Sequence, residues 1–309
     1  MTGTAVSARP SSFSVIVPVG PTDGDLVGLE DILWSVLAHA GPHEPHVVLV
    51  DDAPAPRGLQ RFWPTAEIIR TPAWEDRRPD PLTAHVTGTI LALGRARGRF
   101  ALKLDTDALV IAPFFDQIAV AFDADPTLGV VGAYDRSPDG GVRDWSMWPR
   151  QIRRTTWPFK LPPRTARARR RLHYRPQAER AYARAAIAAA CRNPTYRLGA
   201  HCLGGAYAVS ERLLQRAGSW DWRPWAQAGL GEDVVVGLLC AAAGLRMQGM
   251  VAAGEPFGVK WSGLAAAPAE LVERGYSIVH SVKSGEHGSE SELRAWFRAN
   301  SLASAGPTL

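Results

Sequence analysis

FALKLDTDALV, residues 100–110, decides the fold: a strand over Phe100 to Leu104 runs directly into Asp105-Thr106-Asp107 at its carboxyl end. In open α/β sheets that end of a strand is where ligands bind. Upstream, Phe13 to Val19 is a compact apolar run stopped by Gly20-Pro21. His46 to Val50 is a second such run, closing on Asp51-Asp52 before Pro54 and Pro56. Between the two, Leu29, Ile32, Leu33, Val36 and Leu37 recur at helical spacing within Gly28 to Ala40. Continuous apolar strands separated by a helix read as a parallel sheet with both faces covered.

The same alternation extends outward. A third strand is expected near Ala66 to Arg70, then a Pro- and charge-rich loop from Thr71 to Pro81. A helix over Thr83 to Arg97 would take Gly98 as its C-cap. After FALKL come a helix over Pro113 to Asp123 and a strand over Leu128 to Tyr134. The later half offers a strand within Gly199 to Val209, a helix over Glu211 to Ala217, and a helix opened by Gly231-Glu232-Asp233 and capped by Gly244. An edge-like strand over Leu245 to Val251, a strand over Tyr276 to Val279 leading into His280, and a tail helix over Ser291 to Ala299 complete the pattern. The expected class is α/β: a Rossmann-like three-layer α/β/α arrangement with a mostly parallel central sheet. Residues 1–12 read as a loose tail ahead of one large domain, and 144–198 as an insertion or lid, Ala-rich and helical over 177–192.

Composition narrows the partners. The formal charge is +5, carried by 31 Arg and only 4 Lys. Guanidinium groups suit phosphate and carboxylate, yet no basic helix, zinc module or basic-aromatic repeat gives a nucleic-acid partner a recognisable form. Cys191, Cys202 and Cys240 are unevenly spaced and form no CxxC, which speaks against a disulfide framework or thiolate zinc and for a reducing, cytoplasmic setting. No apolar stretch approaches the ~18 residues of a membrane span, so a soluble protein is expected. Arg150 to Arg175 carries ten basic residues. That run reads either as a solvated loop face or as a peripheral contact with an anionic lipid surface.

Three groups carry candidate chemistry. Asp105 and Asp107, brought around one point by a turn, would offer hard oxygen ligands to Mg²⁺ or Mn²⁺; the alternative is an ordinary capped turn. Glu232-Asp233 opens an apolar helix, where acids are favoured in any case, but the rim of the core is also where a general base is needed. His280 is either a satisfied structural histidine or a nitrogen ligand completing the aspartate site, and Lys283 is placed to reach a phosphate. Gly204-Gly205 reads as a tight turn or as a place where backbone approaches a sugar or phosphate. Trp220, Trp222, Trp225, Trp145 and Trp148 divide between packing and sugar-stacking roles.

The ordered set SVIVPVG, VVLVDDAP, ALKLDTDALV, LGGAYAVS and GLGEDVVVGLL, spread over about 13–135 and 199–251, resembles the inverting GT-A glycosyltransferases of the large family 2 type. That resemblance implies a nucleotide-sugar donor and a divalent metal, Mn²⁺ or Mg²⁺, with 13–135 as the nucleotide-sugar half and 199–309 as the acceptor half and C-terminal tail. It implies that Pro18 and Val19 line the base pocket by their backbones. Asp51 or Asp52 would accept from the base, favouring uridine. Asp105, beside Thr106, would contact ribose and the metal; Asp107 would ligate the metal, and His280 resembles a late metal-binding histidine. Asp233 would be the base and Glu232 would help to hold a hydroxyl-bearing acceptor. The Gln-x-x-Arg-Trp motif and membrane helices of processive members are missing, which favours a single addition, and 144–198 has no counterpart. A retaining GT-A transferase, a sugar nucleotidyltransferase and an inactive carbohydrate-binding module are the competing readings.

Overall fold

The computed structural model describes residues 12–71, 81–160, 173–226, 228–283 and 285–304. The tail before residue 12, most of the 71–81 loop and the middle of the basic run, with Pro162-Pro163, lie outside them.

The chain begins β1 (Phe13–Val19), α1 (Asp23–His39), β2 (Pro45–Asp51), β3 (Glu67–Arg70), α2 (Pro81–Leu93) and β4 (Phe100–Leu104). It continues β5 (Leu109–Val110), α3 (Phe115–Ala124), β6 (Leu128–Gly132), α4 (Trp148–Arg154), a ribbon of β7 (Phe159–Lys160) with β8 (His173–Tyr174), and α5 (Gln177–Arg192). The last third holds β9 (Ala206–Ser210), α6 (Glu211–Ala217), α7 (Glu232–Ala242), β10 (Arg246–Gly249), β11 (Phe257–Val259), α8 (Pro268–Glu273), β12 (Ile278–His280) and α9 (Glu290–Ser304).

Seven strands form the central sheet in the order β10-β6-β9-β4-β1-β2-β3. All pairs are parallel except those of β9, which runs antiparallel to β4 and β6. The expected three-layer, mostly parallel arrangement is borne out. Its physical basis is visible in β1, where every residue is buried. Phe13, Val15, Val17 and Val19 pack with Leu29, Ile32 and Val36 of α1 on one face. Ile16 points the other way, toward Leu93 of α2, Leu213 of α6 and Val236 of α7. Period-two alternation thus feeds two apolar layers at once, which is why the strand reads as a continuous run.

A smaller sheet, β11-β12-β5, crosses beside the carboxyl end of β4. It is covered by α8 and α9 through Leu271, Leu293 and Phe297. The described part of 144–198 is built into the body: Ile152 of α4 and Ala183 and Ala190 of α5 share a core with Val235 and Leu239 of α7.

Several boundaries differ from expectation for local reasons. Helix α1 starts at Asp23 rather than Gly28, because Thr22 and Asp25 form a reciprocal capping box. Helix α2 ends at Leu93, and Gly98, at φ +92°, serves the entry into β4 rather than a helix cap; a Cβ there would meet Phe13 backbone at 2.7 Å. Strand β11 and helices α4 and α8 were not anticipated. The tryptophan-rich loop is largely packing: Trp225 is fully buried, and Trp220 and Trp222 pack against the same helical core.

Candidate active site

Strand pairing assembles the site. Leu104 pairs with Ala206 at the start of antiparallel β9, and the Asp105 amide donates to the Gly205 carbonyl at 3.0 Å, so Gly204-Gly205 lies against the Asp105 turn. In the small sheet Val279 pairs with Leu109, and the Val282 amide donates to the Asp107 carbonyl at 2.9 Å, which brings His280 to the same turn. Asp105, Asp107 and His280 each offer one ligand atom, all within 4.8 Å of one another.

The donor set fits a divalent cation. His280 Nδ1 lies 2.7 Å from the Lys260 carbonyl, so Nδ1–H donates there and Nε2 is directed at Asp107 Oδ1, 3.3 Å away. A backbone carbonyl fixing the tautomer in this way is the usual support of a metal-binding histidine. Ser281 Oγ donates to Asp107 Oδ2 at 2.6 Å. Burial opposes the Asp107 charge, but His280 and Ser281 outweigh it and hold the carboxyl well below the usual range. Two carboxylate oxygens and an imidazole suit a divalent cation.

The two glycines make room for the site's own side chains. A Cβ on Gly205 would stand 2.3 Å from His280 Nδ1, and one on Gly204 would stand 2.8 Å from Glu232 Oε1. That closeness is a local reason for glycine at both positions. Gly28 does the same for the turn, since a Cβ there would meet the Thr106 carbonyl at 2.3 Å. Helix α1 therefore rests on the turn itself.

Glu232 and Asp233 occupy the first turn of α7, both buried. Glu232 Oε1 accepts from Lys103 Nζ at 3.0 Å, and Oε2 lies 3.2 Å from His85 Nε2. Asp233 accepts from the Gly204 amide at 3.1 Å and from its neighbour Val234 at 2.8 Å. Its Oδ2 lies 3.5 Å from His201 Nε2. His201 is oriented from both sides, by the Gly199 carbonyl at Nδ1 and by Arg143 at Nε2. The two carboxyls are pushed apart. Burial works against both charges, but Lys103 and His85 keep Glu232 well below the ordinary range. Asp233 is raised above it by burial, with the Glu232 charge adding to the rise against the opposing pull of His201. Adjacent carboxyls with divergent affinities for protons are how acid–base roles are separated.

Both groups face one cleft of about 420 Å³, which Leu82, His85, Trp148, Lys260 and Trp261 also line. Trp148 belongs to the expected aromatic set; Trp261, at 77% exposure, was not singled out.

The remaining candidates stand apart from that cleft. Pro18 and Val19 end β1, and the Val19 carbonyl accepts from Arg57 at 2.8 Å and from the Asp52 amide at 3.1 Å. Asp51 accepts from Arg57 Nε at 3.2 Å and pairs with Arg70 at 3.3 Å, so its carboxylate is already engaged by two guanidinium groups; Asp52 beside it is buried. The Thr106 hydroxyl turns under α1 and donates to Asp25 Oδ1 at 3.1 Å. Lys283 reaches that same Asp25 oxygen at 3.3 Å, so its ammonium stands beside the Asp105–Asp107 turn. Sequence reading passed over Lys103, His85 and His201. Lys103 had a usable signal, a lone charge inside an apolar strand, which must find a buried partner.

No protein-family description matches the sequence, and no curated protein matches it. Among solved structures the chain superposes on a mannosyltransferase, PcManGT from Pyrobaculum calidifontis in complex with GDP-Man and Mn²⁺. The identity is 17% and the TM-score 0.44, over 98% of this chain and 77% of that one. It superposes on the galactosyltransferase LgtC in complex with donor and acceptor sugar analogs, with 11% identity and a TM-score of 0.46, over 92% and 95%. For S. aureus TarS the figures are 17% and 0.38, over 77% of this chain and 57% of that one. These are likenesses of fold between distant sequences. Among the described residues, no helix is long and apolar enough to cross a membrane.

Proposed function

We propose that this protein is a GT-A-type glycosyltransferase that moves one sugar from a nucleotide-sugar to an acceptor hydroxyl, with inversion at the anomeric carbon. The supporting observation is the facing pair of groups in one cleft: the Asp105–Asp107–His280 cluster, and the divided Glu232–Asp233 carboxyls. A metal site alone, or a buried acid alone, would fit many chemistries.

A divalent cation held by Asp105, Asp107 and His280 would supply Lewis-acid stabilisation of charge on a departing diphosphate. The chain's own residues do the rest. Asp233 keeps a lone pair on each oxygen beyond the amides it already accepts from, and takes the proton of the acceptor hydroxyl. The oxygen so activated attacks the anomeric carbon from the face opposite the diphosphate, forming one C–O bond as the other breaks. Glu232, held ionised by Lys103 and His85, keeps Asp233 basic enough for that step and is placed to accept from a second acceptor hydroxyl. The Asp51–Asp52 end of β2 takes the base, with uridine as the first nucleotide to try.

The test is a panel of nucleotide-sugars and hydroxyl acceptors with Mn²⁺, followed by NMR of the product's anomeric proton. Inversion is expected; a retained configuration would remove Asp233 from its role as base. Free pyrophosphate made from a nucleoside triphosphate and a sugar phosphate would point to nucleotidyl transfer instead.

A further inference from the structure

Lys103 is fully buried one residue from the carboxyl end of β4, and although burial opposes its charge, Asp105 and Glu232 hold it ionised. Its ammonium donates to Asp105 Oδ1 at 2.6 Å, to Glu232 Oε1 at 3.0 Å, and to the Gly204 carbonyl. Three donor hydrogens meet three acceptors, with the Tyr207 ring 5.7 Å from the nitrogen. A charge this far from water persists only where such partners replace hydration.

The position has a consequence for the metal cluster. One oxygen of Asp105 already accepts from a resident cation, so part of that carboxylate's lone-pair capacity is withdrawn from the cluster. A fixed positive charge beside a ligand carboxylate also weakens the local potential that attracts a divalent ion. A nucleoside diphosphate brings compensating negative charge of its own into the same cleft. We propose that Lys103 is a built-in competitor for Asp105, which keeps the cluster's affinity for a bare divalent cation low and makes loading depend on a metal–diphosphate complex. This rests on the metal reading of the cluster and does not depend on which sugar is moved.

The experiment compares wild type with Lys103→Met in two calorimetric titrations, one with Mn²⁺ alone and one with preformed Mn²⁺–UDP. Mn²⁺ alone should bind the variant roughly tenfold or more tightly than wild type, because the competing charge is gone. Mn²⁺–UDP should bind both with similar affinity. Adding Asp107→Asn to the variant should erase the gain. A role confined to holding the fold would instead leave Mn²⁺ affinity unchanged or weaken it, and either result overturns the proposal. A gain that survives Asp107→Asn places the ion elsewhere and overturns it too. Should Lys103→Met fail to fold, Lys103→Met/Glu232→Gln removes one buried charge of each sign, and a tightening of the same direction is expected from it. If neither protein takes up Mn²⁺ or Mn²⁺–UDP, the metal reading itself fails, an outcome distinct from equal binding of bare Mn²⁺.

Discussion

Gly205→Ala adds one methyl group at the point where the two halves of the site touch. The new Cβ would stand 2.3 Å from His280 Nδ1, 2.4 Å from Cγ and 2.5 Å from Cε1. Gly205 is not among the positive-φ glycines, so an alanine backbone is accommodated and the contact alone decides the outcome. Carbon contacts are comfortable only from about 3.5 Å, so the imidazole must retreat by roughly 1 Å. It cannot do so and keep its bonds. Nδ1–H reaches the Lys260 carbonyl at 2.7 Å, and a shift of that size takes it beyond hydrogen-bonding range. Overpacking of this kind costs about 1–3 kcal/mol of stability. Loss of the bond that orients the ligand nitrogen costs roughly 10–100-fold in metal affinity. Thermal unfolding and a Mn²⁺–UDP titration on the same preparation read the two effects separately. A folded Gly205→Ala variant that binds Mn²⁺–UDP as wild type does would refute the assignment of His280 to the metal.

Other perturbations follow from single contacts. Asp233 is raised above the ordinary carboxylate range, and transfer needs its unprotonated form, so kcat/KM should fall as pH drops through that raised value. Glu232→Gln removes the neighbouring charge and should move this acid limb to lower pH; a limb that stays in place would separate Asp233 from the profile. Arg294 is buried and donates to the Thr106 carbonyl at 2.9 Å while pairing with Asp31 at 3.3 Å, so Arg294→Met should cost on the order of 3 kcal/mol in denaturant unfolding. A loss below about 0.5 kcal/mol would mean that α9 does not brace the turn. Gly28→Ala, with a Cβ 2.3 Å from that same carbonyl, should destabilise by about 1–3 kcal/mol, and an unchanged melting temperature would contradict it.

The parts of this architecture that were legible in sequence are those governed by short-range rules. Phe13 to Val19 and Phe100 to Leu104 announce buried strands because both faces are covered, and Gly231-Glu232-Asp233 announces a helix start. Asp105, Asp107 and His280 were each visible as types of residue at strand ends, although only the pairing of β12 with β5 brings the histidine to the aspartates. What stayed hidden depends on contacts between distant segments. Lys103 meets Glu232 across 129 positions, and Arg294 meets the Thr106 carbonyl across 188. His85 and His201 look like any polar residue in a helix or loop until Glu232 and Asp233 are set beside them. The tryptophans could not be sorted in sequence for a related reason, since spacing alone does not distinguish Trp225 in the core from Trp148 at the cleft.

The division of labour between the two acidic groups is tested most directly by binding without turnover. The nucleotide-sugar that wild type consumes would be titrated, with Mn²⁺, into Asp107→Asn and Asp233→Asn. Asp233→Asn is predicted to bind it within about twofold of wild type while making no product, and Asp107→Asn to lose roughly tenfold or more of the affinity. Donor binding that collapses in Asp233→Asn as it does in Asp107→Asn, or transfer that continues without the Asp233 carboxylate, would contradict the account.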